Sequence, residues 1–369
     1  MSTTALDLAI IGAGPAGLHT AWRAAERGIG VTVFDAHARV GDPWRERYRS
    51  LRLFTPRRWV NLPGMGLDIG YFDYPTAAQL ADYLERYAAA LTVPVRMSTR
   101  VERLSADPAG LFHLALSTGE EVAARNVVVA TGAHHRRIVP RFAGDLDPGI
   151  RQLHSLDYHG PEDLAEGPVL VVGVGNSGTD IALEAAAAGH ATTAAGRVPG
   201  EVPGRIDTPI GNMISGIFIR RLRGLTIETE KGRRFREEHR GHGVNLVRNH
   251  MRDLARAGVR HVGRIAGVTQ GRPVLTDGEA LDVATVVWCT GSLPQYDWLD
   301  IPDAFDAHRW PHQVRGIAEA VPGLAFVGLP FQYSVASPTL MGMGRDAQYV
   351  VDRLFEPVRP MRTAVRAAA

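Results

Sequence analysis

The sequence predicts an α/β fold, because the order strand, helix, strand occurs twice with a glycine-rich turn after each first strand. In the first occurrence, the apolar run Leu8–Ile11 precedes a helical stretch from about Pro15 to Arg27 and the β-branched run Val31–Phe34. Short apolar runs joined by a helix are typical of buried parallel strands. Such a βαβ unit is the building block of a Rossmann-like domain.

The same order returns near the middle of the chain, where Val169–Val172, Ser177–Ala188 and Ala191–Ala195 are the strand, helix and strand. Two further apolar runs, Val127–Gly132 and Val286–Gly291, both end in Thr-Gly. Each of these runs leads from one βαβ unit towards the other. We therefore expect two Rossmann-like domains, with the second inserted into the first.

The insertion sets the expected domain boundaries. The first domain comprises residues 1–160 and 294–369, and the second comprises residues 161–293. The strand Leu324–Gly328 and a helix from about Arg345 to Leu354 would complete the first domain after the chain returns to it.

Residues 199–250 interrupt the second domain, and Arg220–His242 within them is crowded with Arg, Glu and His. This segment is interpreted either as a solvated excursion or as a lid over a substrate, and Met213–Leu222 within it could be an amphipathic helix. Acidic residues alternate with the basic ones, which argues against nucleic-acid binding. The basic, alanine-rich tail from Pro357 is expected to be loose.

Composition excludes several classes of protein. The 369 residues leave room for two domains, and a net charge of +2 with a pI near 8.8 does not indicate a nucleic-acid partner. No stretch has the roughly 18 apolar residues of a membrane span, and Leu8–Ile11 is too short for a signal peptide. A cytoplasmic protein is expected. The histidines, including His134, His135 and His159, do not have metal-ligand spacing.

The first glycine-rich turn fits the GxGxxG fingerprint of a dinucleotide site. Gly12 permits the tight turn, Gly14 lets the backbone approach a pyrophosphate, and Gly17 lets helix and strand pack closely; Pro15 and Ala16 lie between them. The pyrophosphate would lie at the helix N-terminus. Asp35 ends the second strand, where a carboxylate accepts hydrogen bonds from both ribose hydroxyls. An acid at this position fits FAD or NAD.

Two features favour FAD at the first site. Gly41-Asp42-Pro43-Trp44 follows the second strand, and the indole of Trp44 could line an isoalloxazine pocket or belong to the core. Thr131 and Gly132 end a strand where a dinucleotide-bearing domain would meet its neighbour.

The second glycine-rich turn fits the same fingerprint over Gly173, Gly175, Asn176, Ser177 and Gly178. Its second strand ends at Ala195-Gly196-Arg197 without an acid. A carboxylate would repel a 2′-phosphate, whereas Arg197 can bind one with forked, charge-assisted hydrogen bonds. The second site is therefore predicted to bind NADPH, with Arg205 as a second candidate for the phosphate.

Two dinucleotide sites in one chain predict hydride transfer from NADPH to a flavin. The electrons could continue to a disulfide, to dioxygen, or to a protein or quinone acceptor. A disulfide reductase needs a dithiol, but Cys289 is the only cysteine, and it ends an apolar strand where a thiol is expected to be buried and inert.

Taken together, these segments resemble the flavin-containing monooxygenases, a class B family that includes YUCCA-type and Baeyer–Villiger enzymes; the chain is also similar to bacterial FAD-dependent pyridine nucleotide oxidoreductases. The linker Pro140–Tyr158 is similar to the family signature FxGxxxHxxxY. If Gly149 is the signature glycine, Asp147 replaces the Phe, and one extra residue precedes His154. The resemblance implies that His154 positions the domains. Tyr158 stands where Baeyer–Villiger members carry Trp, which favours heteroatom oxygenation.

The resemblance also implies residues near the flavin. Heteroatom-oxidising members often place Asn beside the flavin C4a, but the matching segment here contains Thr55 and no Asn, and Asn61 follows it. Both are candidate catalytic residues. Towards the C-terminus, Phe326–Pro330, which contains Gly328, and Gly342–Ala347, which contains Asp346, resemble the region where the family closes over its flavin. Helix packing is an equal explanation for the glycines of these two segments. Thr290 and Gly291 form the matching turn of the second domain.

The expected function is an NADPH- and O₂-dependent flavin monooxygenase. It would oxygenate nitrogen, sulfur or a carbonyl group of a small organic substrate through a C4a-peroxyflavin. A flavin NAD(P)H dehydrogenase or oxidase without oxygen transfer is the first alternative, and a non-catalytic, nucleotide-sensing flavoprotein is the second. A homodimer is compatible with the sequence.

Overall fold

A computed structural model of the protein describes residues 5–202, 208, 211, 216–217, 220–221, 223–238 and 245–356. The predictions for Arg205, for most of Met213–Leu222 and for the tail from Pro357 therefore lie outside the described residues. The α-helices are α1 (Pro15–Glu26), α2 (Asp42–Arg45), α3 (Ala77–Ala90), α4 (Asn176–Ala187), α5 (Glu230–Glu238), α6 (Met251–Arg256) and α7 (Met343–Leu354).

The structure also contains strands that form the sheets. In chain order they are β1 (Leu8–Ile11), β2 (Val31–Phe34), β3 (Val95–Arg96), β4 (Val101–Ala106), β5 (Phe112–Leu116), β6 (Glu121–Ala124), β7 (Val127–Val129), β8 (Arg136–Arg137), β9 (Arg151–His154), β10 (Val169–Val172), β11 (Thr192–Ala195), β12 (Arg260–Val262), β13 (Ile265–Thr269), β14 (Arg272–Leu275), β15 (Thr285–Trp288), β16 (Ser292–Leu293), β17 (Gln313–Val314), β18 (Ile317–Ala318) and β19 (Leu324–Phe326). The fold is mixed α/β with parallel sheets, as predicted.

The first sheet has the strand order β17-β18-β19-β7-β1-β2-β3. Its strands from β19 to β3 are parallel, and β1, β2, β7 and β19 are buried along their whole length. Continuous apolar runs form such strands because both faces of the sheet are covered, one by helices such as α1 and the other by the β4-β5-β6 sheet. The strand near Leu324 thus joins the sheet of the first βαβ unit, as the sequence predicts.

The second sheet has the order β12-β11-β10-β15-β9, and all its pairings are parallel. The second βαβ unit is therefore present as predicted, with β10 at the centre. Strand β9 belongs to this sheet because it pairs with β15, with Trp288 opposite His154. It lies before the predicted boundary at residue 160, and the boundaries themselves remain a prediction.

Two short strands link the regions of the two sheets. β8 follows the turn that ends β7, β16 follows the turn that ends β15, and the two pair antiparallel. A three-stranded sheet β4-β5-β6 and a hairpin β13-β14 lie outside the two parallel sheets. The carboxyl ends of β7 and β15 are thereby tied to each other.

The described part of the 199–250 segment contacts the C-terminal part of the chain. Thr226 pairs with Ser334 in an antiparallel bridge. The carboxylate of Glu228 accepts a hydrogen bond from the Tyr333 hydroxyl at 2.8 Å. It also forms an ion pair with Arg315 at 3.0 Å. A wholly solvated excursion is therefore wrong for Thr226–Glu228. The pattern of charge in the sequence could not reveal these partners, because they lie far away in the chain.

Helices α1 and α7 pack against each other through a histidine and a glycine. His19 on α1 is buried, and neither ring nitrogen has a hydrogen-bond partner among the described residues. A Cβ on Gly344 of α7 would overlap the imidazole of His19. Burial, aided by the charge of Arg23, lowers the pKa of His19 from 6.5 to about 4.

This histidine makes stability depend on pH. Below pH 6.5 the unfolded chain protonates His19 while the folded chain resists until about pH 4, so stability is lost as the pH falls through this window. Between pH 7.5 and pH 5 we expect this residue to cost about 2 kcal/mol. His19→Leu should remove this part of the pH dependence of the unfolding free energy. His308→Leu, a control at an exposed histidine, should keep it. Urea unfolding at both pH values measures the difference, and equal pH dependence in all three proteins would contradict the prediction.

Candidate functional site

The first glycine-rich turn lies at the carboxyl end of β1. Gly12 has φ +110°, and a Cβ there would lie 2.5 Å from the carbonyl oxygen of Ala130. A Cβ on Gly17 would overlap the carbonyl oxygen of Gly12. Gly14 is the N-cap of α1, with Pro15 and Ala16 in the first turn, and a Cβ on it would meet no atom within 4 Å. Two glycines therefore permit close packing, and the third leaves open space at a helix N-terminus, as a pyrophosphate requires.

Asp35 follows β2 beside this turn. Its Oδ2 accepts from the backbone N–H of Ala13 at 2.7 Å, and its Oδ1 accepts from the backbone N–H and the Nδ1 of His37, both at 2.8 Å. Burial acts to raise the pKa of Asp35, but these hydrogen bonds outweigh it and hold the pKa below its ordinary value. A carboxylate has about four lone-pair sites. Asp35 therefore keeps room for one ribose hydroxyl, where the sequence suggested two.

The segment that follows β2 depends on a left-handed glycine. Gly41 has φ +89°, and a Cβ there would lie 2.6 Å from the carbonyl oxygen of Ala81 on α3. This places α2 against α3. Trp44 on α2 is half-buried and packs against the hydrophobic core, so its core interpretation and its flavin-side interpretation are compatible.

The turn after β7 carries an unsatisfied hydroxyl. Thr131 Oγ1 is buried and has no hydrogen-bond partner among the described residues, while the Thr131 carbonyl accepts from Nε2 of His135 at 2.9 Å. Gly132 follows with φ +83°. A buried polar atom without a partner costs free energy unless a ligand or water satisfies it. This hydroxyl lies one residue beyond Ala130, which contacts the first glycine-rich turn, and so fits a dinucleotide there.

The second glycine-rich turn repeats the geometry of the first. Gly173 has φ +107°, and a Cβ there would overlap the carbonyl oxygen of Cys289; a Cβ on Gly178 would overlap that of Gly173. Gly175 is the N-cap of α4, and a Cβ on it would meet nothing within 4 Å. The second turn therefore fits a pyrophosphate for the same reasons as the first.

Side chains around the second turn are partly engaged. The amide of Asn176 donates to the carbonyl of Asn245 at 3.1 Å and accepts from the N–H of Val247 at 3.1 Å. Ser177 follows Asn176 in the first turn of α4 and is half-buried. Asn176 therefore holds the end of the 199–250 segment against the turn, a role that its position in the fingerprint does not disclose.

Arg197 lies one residue beyond the end of β11. It follows Gly196, which has φ +138° and whose carbonyl accepts from Nε2 of His261 at 2.9 Å. Arg197 is exposed and forms no hydrogen bond or ion pair with another residue that the structure describes. A guanidinium without a protein carboxylate is available to a phosphate.

Cys289 lies directly behind the second turn. It is half-buried, and burial raises the pKa of its thiol to about 12. A thiol with this pKa is almost entirely protonated at neutral pH, and the thiolate is the reactive form. The expectation of an inert cysteine agrees with this position.

His154 ties β9 to the turn after β15. Its Nδ1 accepts from the N–H of Leu156 at 3.1 Å, and its Nε2 donates to the carbonyl of Gly291 at 3.0 Å. Burial acts to lower the pKa of His154, and the net pKa is below the ordinary value. Thr290 Oγ1 donates to the carbonyl of Ile138 beyond β8. His154 and Thr290 thus join the second sheet to the two linking strands, which is a positioning geometry.

The two candidate catalytic residues differ in their surroundings. Thr55 is buried. Asn61 is exposed, and its Oδ1 accepts from the N–H of Leu67 at 3.0 Å, which closes a surface loop. The side chain of Asn61 is therefore occupied in a structural role.

The C-terminal candidates approach the first turn. Gly328 has φ +89°, and a Cβ there would lie 3.3 Å from Cβ of Ala16 on α1. Asp346 on α7 is buried, its Oδ2 has no hydrogen-bond partner among the described residues, and burial raises the pKa of its carboxyl to about 6. These residues bring the end of β19 and the first turns of α7 to the region of α1.

Sequence reasoning missed a set of contacts that join α4 to the first part of the chain. Tyr48 donates to Asp180 at 2.9 Å, and Tyr158, fully buried, donates to Glu184 at 3.2 Å. The spacing of Asp180 and Glu184 on one helix face was the available signal, but an acidic pair on a helix is usually solvated.

The chain matches a known protein family over more than half of its length. The sequence profile of the family described as "Pyridine nucleotide-disulphide oxidoreductase" matches residues 9–237. The chain belongs to this family. It is therefore an oxidoreductase, as predicted, although its single cysteine leaves it without the dithiol of a disulfide reductase.

One curated relative matches nearly the whole of this chain, and another matches about half of it. A protein named "Uncharacterized oxidoreductase CzcO-like" from Geobacillus kaustophilus is 33% identical over 95% of this chain and 98% of the relative. "Indole-3-pyruvate monooxygenase YUCCA1" from Oryza sativa is 38% identical over 47% of this chain and 44% of the relative. The predicted resemblance to YUCCA-type monooxygenases is confirmed.

Solved structures show the same fold. The flavin-containing monooxygenase from Stenotrophomonas maltophilia has a TM-score of 0.74 at 25% identity and covers 95% of this chain and 98% of its own. The structure of "OTEMO complex with FAD and NADP" has a TM-score of 0.67 at 19% identity and covers 96% of this chain and 86% of its own. The family and these neighbours support FAD and NADPH as the cofactors.

Two further findings concern only the part of the chain that the structure describes. None of its helices combines the length and apolar character that a bilayer span needs. Among the same residues, no group of three or more His, Cys, Asp and Glu side chains is arranged to hold a metal ion.

The two open glycines provide a matched pair of variants. Gly14→Ala and Gly175→Ala each place a methyl group where a pyrophosphate would approach, without contact to the protein. We expect Gly14→Ala to lower the flavin content of the purified protein and Gly175→Ala to weaken NADPH binding while flavin is retained. Flavin absorbance, NADPH titration and the melting temperature measure these effects. If both variants lost flavin equally, the assignment of the two turns would be wrong.

Proposed function

We propose that this oxidoreductase is a flavin monooxygenase that uses FAD, NADPH and dioxygen to oxygenate a small organic molecule. The observation that carries the proposal is the repeated turn, in which Gly14 and Gly175 leave equivalent open space at two helix N-termini. The two turns differ in the group that follows the second strand, Asp35 in one case and Arg197 in the other. This difference supports two distinct dinucleotides in one chain.

The residues around the first turn fit FAD. The N-terminus of α1 would bind the pyrophosphate, the remaining lone pair of Asp35 would accept one ribose hydroxyl, and the buried hydroxyl of Thr131 would find a partner. When bound, FAD supplies the hydride and oxygen chemistry that no side chain can perform. Trp44 contributes a flat aromatic wall beside this site.

The residues around the second turn fit NADPH. The N-terminus of α4 would bind the pyrophosphate, and Arg197 would bind the 2′-phosphate. Nε2 of His154 donates to the carbonyl of Gly291, and burial lowers the pKa of this histidine, so we assign it the role of orienting the turn after β15. Its role in this proposal is to position the second site relative to the linking strands.

We propose further that the second site belongs to a domain inserted into the first. The chain enters the second sheet through β9 and leaves it through β15, and the first sheet is completed by β19. The chain would then pass between the two domains twice, through β8 and through β16, and these two strands pair with each other. On this division the inserted domain begins near Arg151, ahead of the boundary that the sequence suggested.

The acceptor of the electrons separates this proposal from disulfide reduction. Cys289 is protonated, stands behind the second turn and has no second cysteine to pair with. The names of the relatives, including "Indole-3-pyruvate monooxygenase YUCCA1", support dioxygen as the acceptor. They do not agree on one substrate, since a further neighbour of 20% identity is an "S-allyl-L-cysteine S-oxygenase".

The experiment that tests the proposal follows the flavin and the oxygen. We expect purified protein to be yellow, to be bleached by NADPH without oxygen, and to transfer one oxygen atom from labelled dioxygen into an amine, a thioether or a ketone. Mass spectrometry of the products measures this transfer. Bleaching by NADPH followed only by hydrogen peroxide release, with every substrate class, would instead establish an oxidase.

That second candidate has one observation in its favour. Asn61, the asparagine nearest to the predicted flavin-side segment, is exposed and engaged with Leu67. Thr55 alone would then remain beside the flavin. A site with few hydrogen-bond donors at this position favours release of peroxide over oxygen transfer.

Arg197 provides the test of nucleotide choice. Hydrogen bonds to charged groups contribute about 1.5–3 kcal/mol, so Arg197→Ala should weaken NADPH binding by roughly 10- to 100-fold. NADH, which lacks the 2′-phosphate, should be affected little. Arg252→Ala, at another exposed arginine of the same region, is the control. Equal losses of NADPH and NADH affinity in Arg197→Ala would reject the assignment.

A further inference from the structure

One face of α4 contacts three other segments of the chain. Asn176, Asp180 and Glu184 are four residues apart, so their side chains follow one face of the helix. Asn176 binds the backbone at Asn245 and Val247, and Glu184 binds the hydroxyl of Tyr158. Asp180 lies between them. The same helix presents its N-terminus to the second dinucleotide site.

Asp180 collects three donors. The Tyr48 hydroxyl donates to its Oδ2 at 2.9 Å, Arg248 forms an ion pair with Oδ2 at 2.8 Å, and the side-chain amide of Asn249 donates to Oδ1. The carboxylate is only 8% exposed. Burying a charge costs free energy unless it is paired and hydrogen-bonded, and here both oxygens are satisfied. We call Asp180 and its three donors the hub. Because both carboxylate oxygens are paired, these side chains are held in one arrangement.

Tyr48 connects this hub to the first dinucleotide site. It lies three residues beyond the end of α2, the helix that carries Trp44 and begins at the left-handed Gly41. Its ring is 2% exposed and packs 6.4 Å from that of Tyr158. Burial, then the charge of Asp180, raises the pKa of the Tyr48 hydroxyl far above its usual value, so the hydroxyl remains a donor.

We infer that Asp180 is a positioning residue that, through Tyr48, sets the distance between the two dinucleotide sites. This inference rests on the proposed function, because it concerns hydride passage from NADPH to FAD. The N-terminus of α4 holds one dinucleotide and the segment from Gly41 to Tyr48 borders the other. A bond between Tyr48 and Asp180 joins these two elements directly. The glycine-rich turns fix each dinucleotide within its own unit, and this bond relates one to the other.

The end of the 199–250 segment reinforces the same helix. Arg248 and Asn249 bind Asp180, while Asn245 and Val247 bind Asn176 one turn earlier. Residues 245–249 thus clamp the first two turns of α4. Their contacts resist a shift of the helix along its axis, which would move the pyrophosphate site away from the flavin.

The test compares single-turnover flavin reduction in four proteins. Tyr48→Phe removes one hydroxyl, Asp180→Asn removes the charge and keeps the shape, and the double variant combines both. Because a misplacement of about 1 Å can cost roughly 100-fold in rate, we expect reduction by saturating NADPH to slow by about tenfold or more in each single variant. The double variant should be no slower than the slower single variant, since both changes break one connection.

Three further measurements distinguish positioning from general damage. Flavin content, reduction by dithionite and the dissociation constant of NADP⁺ should stay within about threefold of the wild type. Glu162→Gln is the matched control, because it removes a carboxylate whose ion pair with Arg49 is exposed at the same junction. This control should reduce at the wild-type rate. Tyr48→Phe changes a single atom and keeps the test valid if Asp180→Asn fails to fold.

The outcomes separate the inference from the proposed function. If NADPH does not reduce the wild-type flavin, the proposed function fails and the inference fails with it. If NADPH reduces the wild type and both variants equally fast, only the inference is overturned. Parallel losses of flavin, dithionite reduction and NADP⁺ affinity would assign the hub a purely structural role and would also overturn it.

Discussion

The architecture depends on a backbone approach that glycine alone permits. At Gly17 and at Gly178, the first turn of a helix meets the carbonyl oxygen of the glycine that ends the preceding strand, in the space that a Cβ would occupy. The helix N-terminus therefore lies at the carboxyl end of a parallel strand, with its free N–H groups facing outward. The location of both candidate sites follows from this approach.

Electrostatics then distinguish two sites that the backbone makes alike. Asp35 is held ionised by hydrogen bonds that outweigh the effect of its burial on the pKa, so it offers negative charge beside the first helix N-terminus. Arg197 offers an exposed positive charge beside the second. A 2′-phosphate would be repelled by the first and attracted by the second. One charged residue after each second strand thus supports the assignment of FAD to one site and NADPH to the other.

Local pattern in the sequence predicts the elements well, because a strand that is covered on both faces, such as Val169–Val172, requires a continuous apolar run. It also predicts both glycine-rich turns, whose chemistry is contained in six consecutive residues. It could not predict that His37 and Ala13 donate hydrogen bonds to the carboxylate of Asp35, which leaves little of it for a ligand. Nor could it predict that Asn61 closes a surface loop. Those facts depend on which way a side chain turns. The contacts of Glu228 depend on residues far away in the chain.

The same distinction explains how a family can keep its frame and change its chemistry. The glycine-rich turns are local, and they bind dinucleotides whatever accepts the electrons. Cys289 has a structural role beside the second glycine-rich turn, because its carbonyl packs against Gly173 and its thiol stays protonated. Contacts such as the Tyr48–Asp180 hydrogen bond lie outside both fingerprints and form only when the chain folds. Substrate choice in such a protein is decided by long-range packing, so it can change while both fingerprints remain intact.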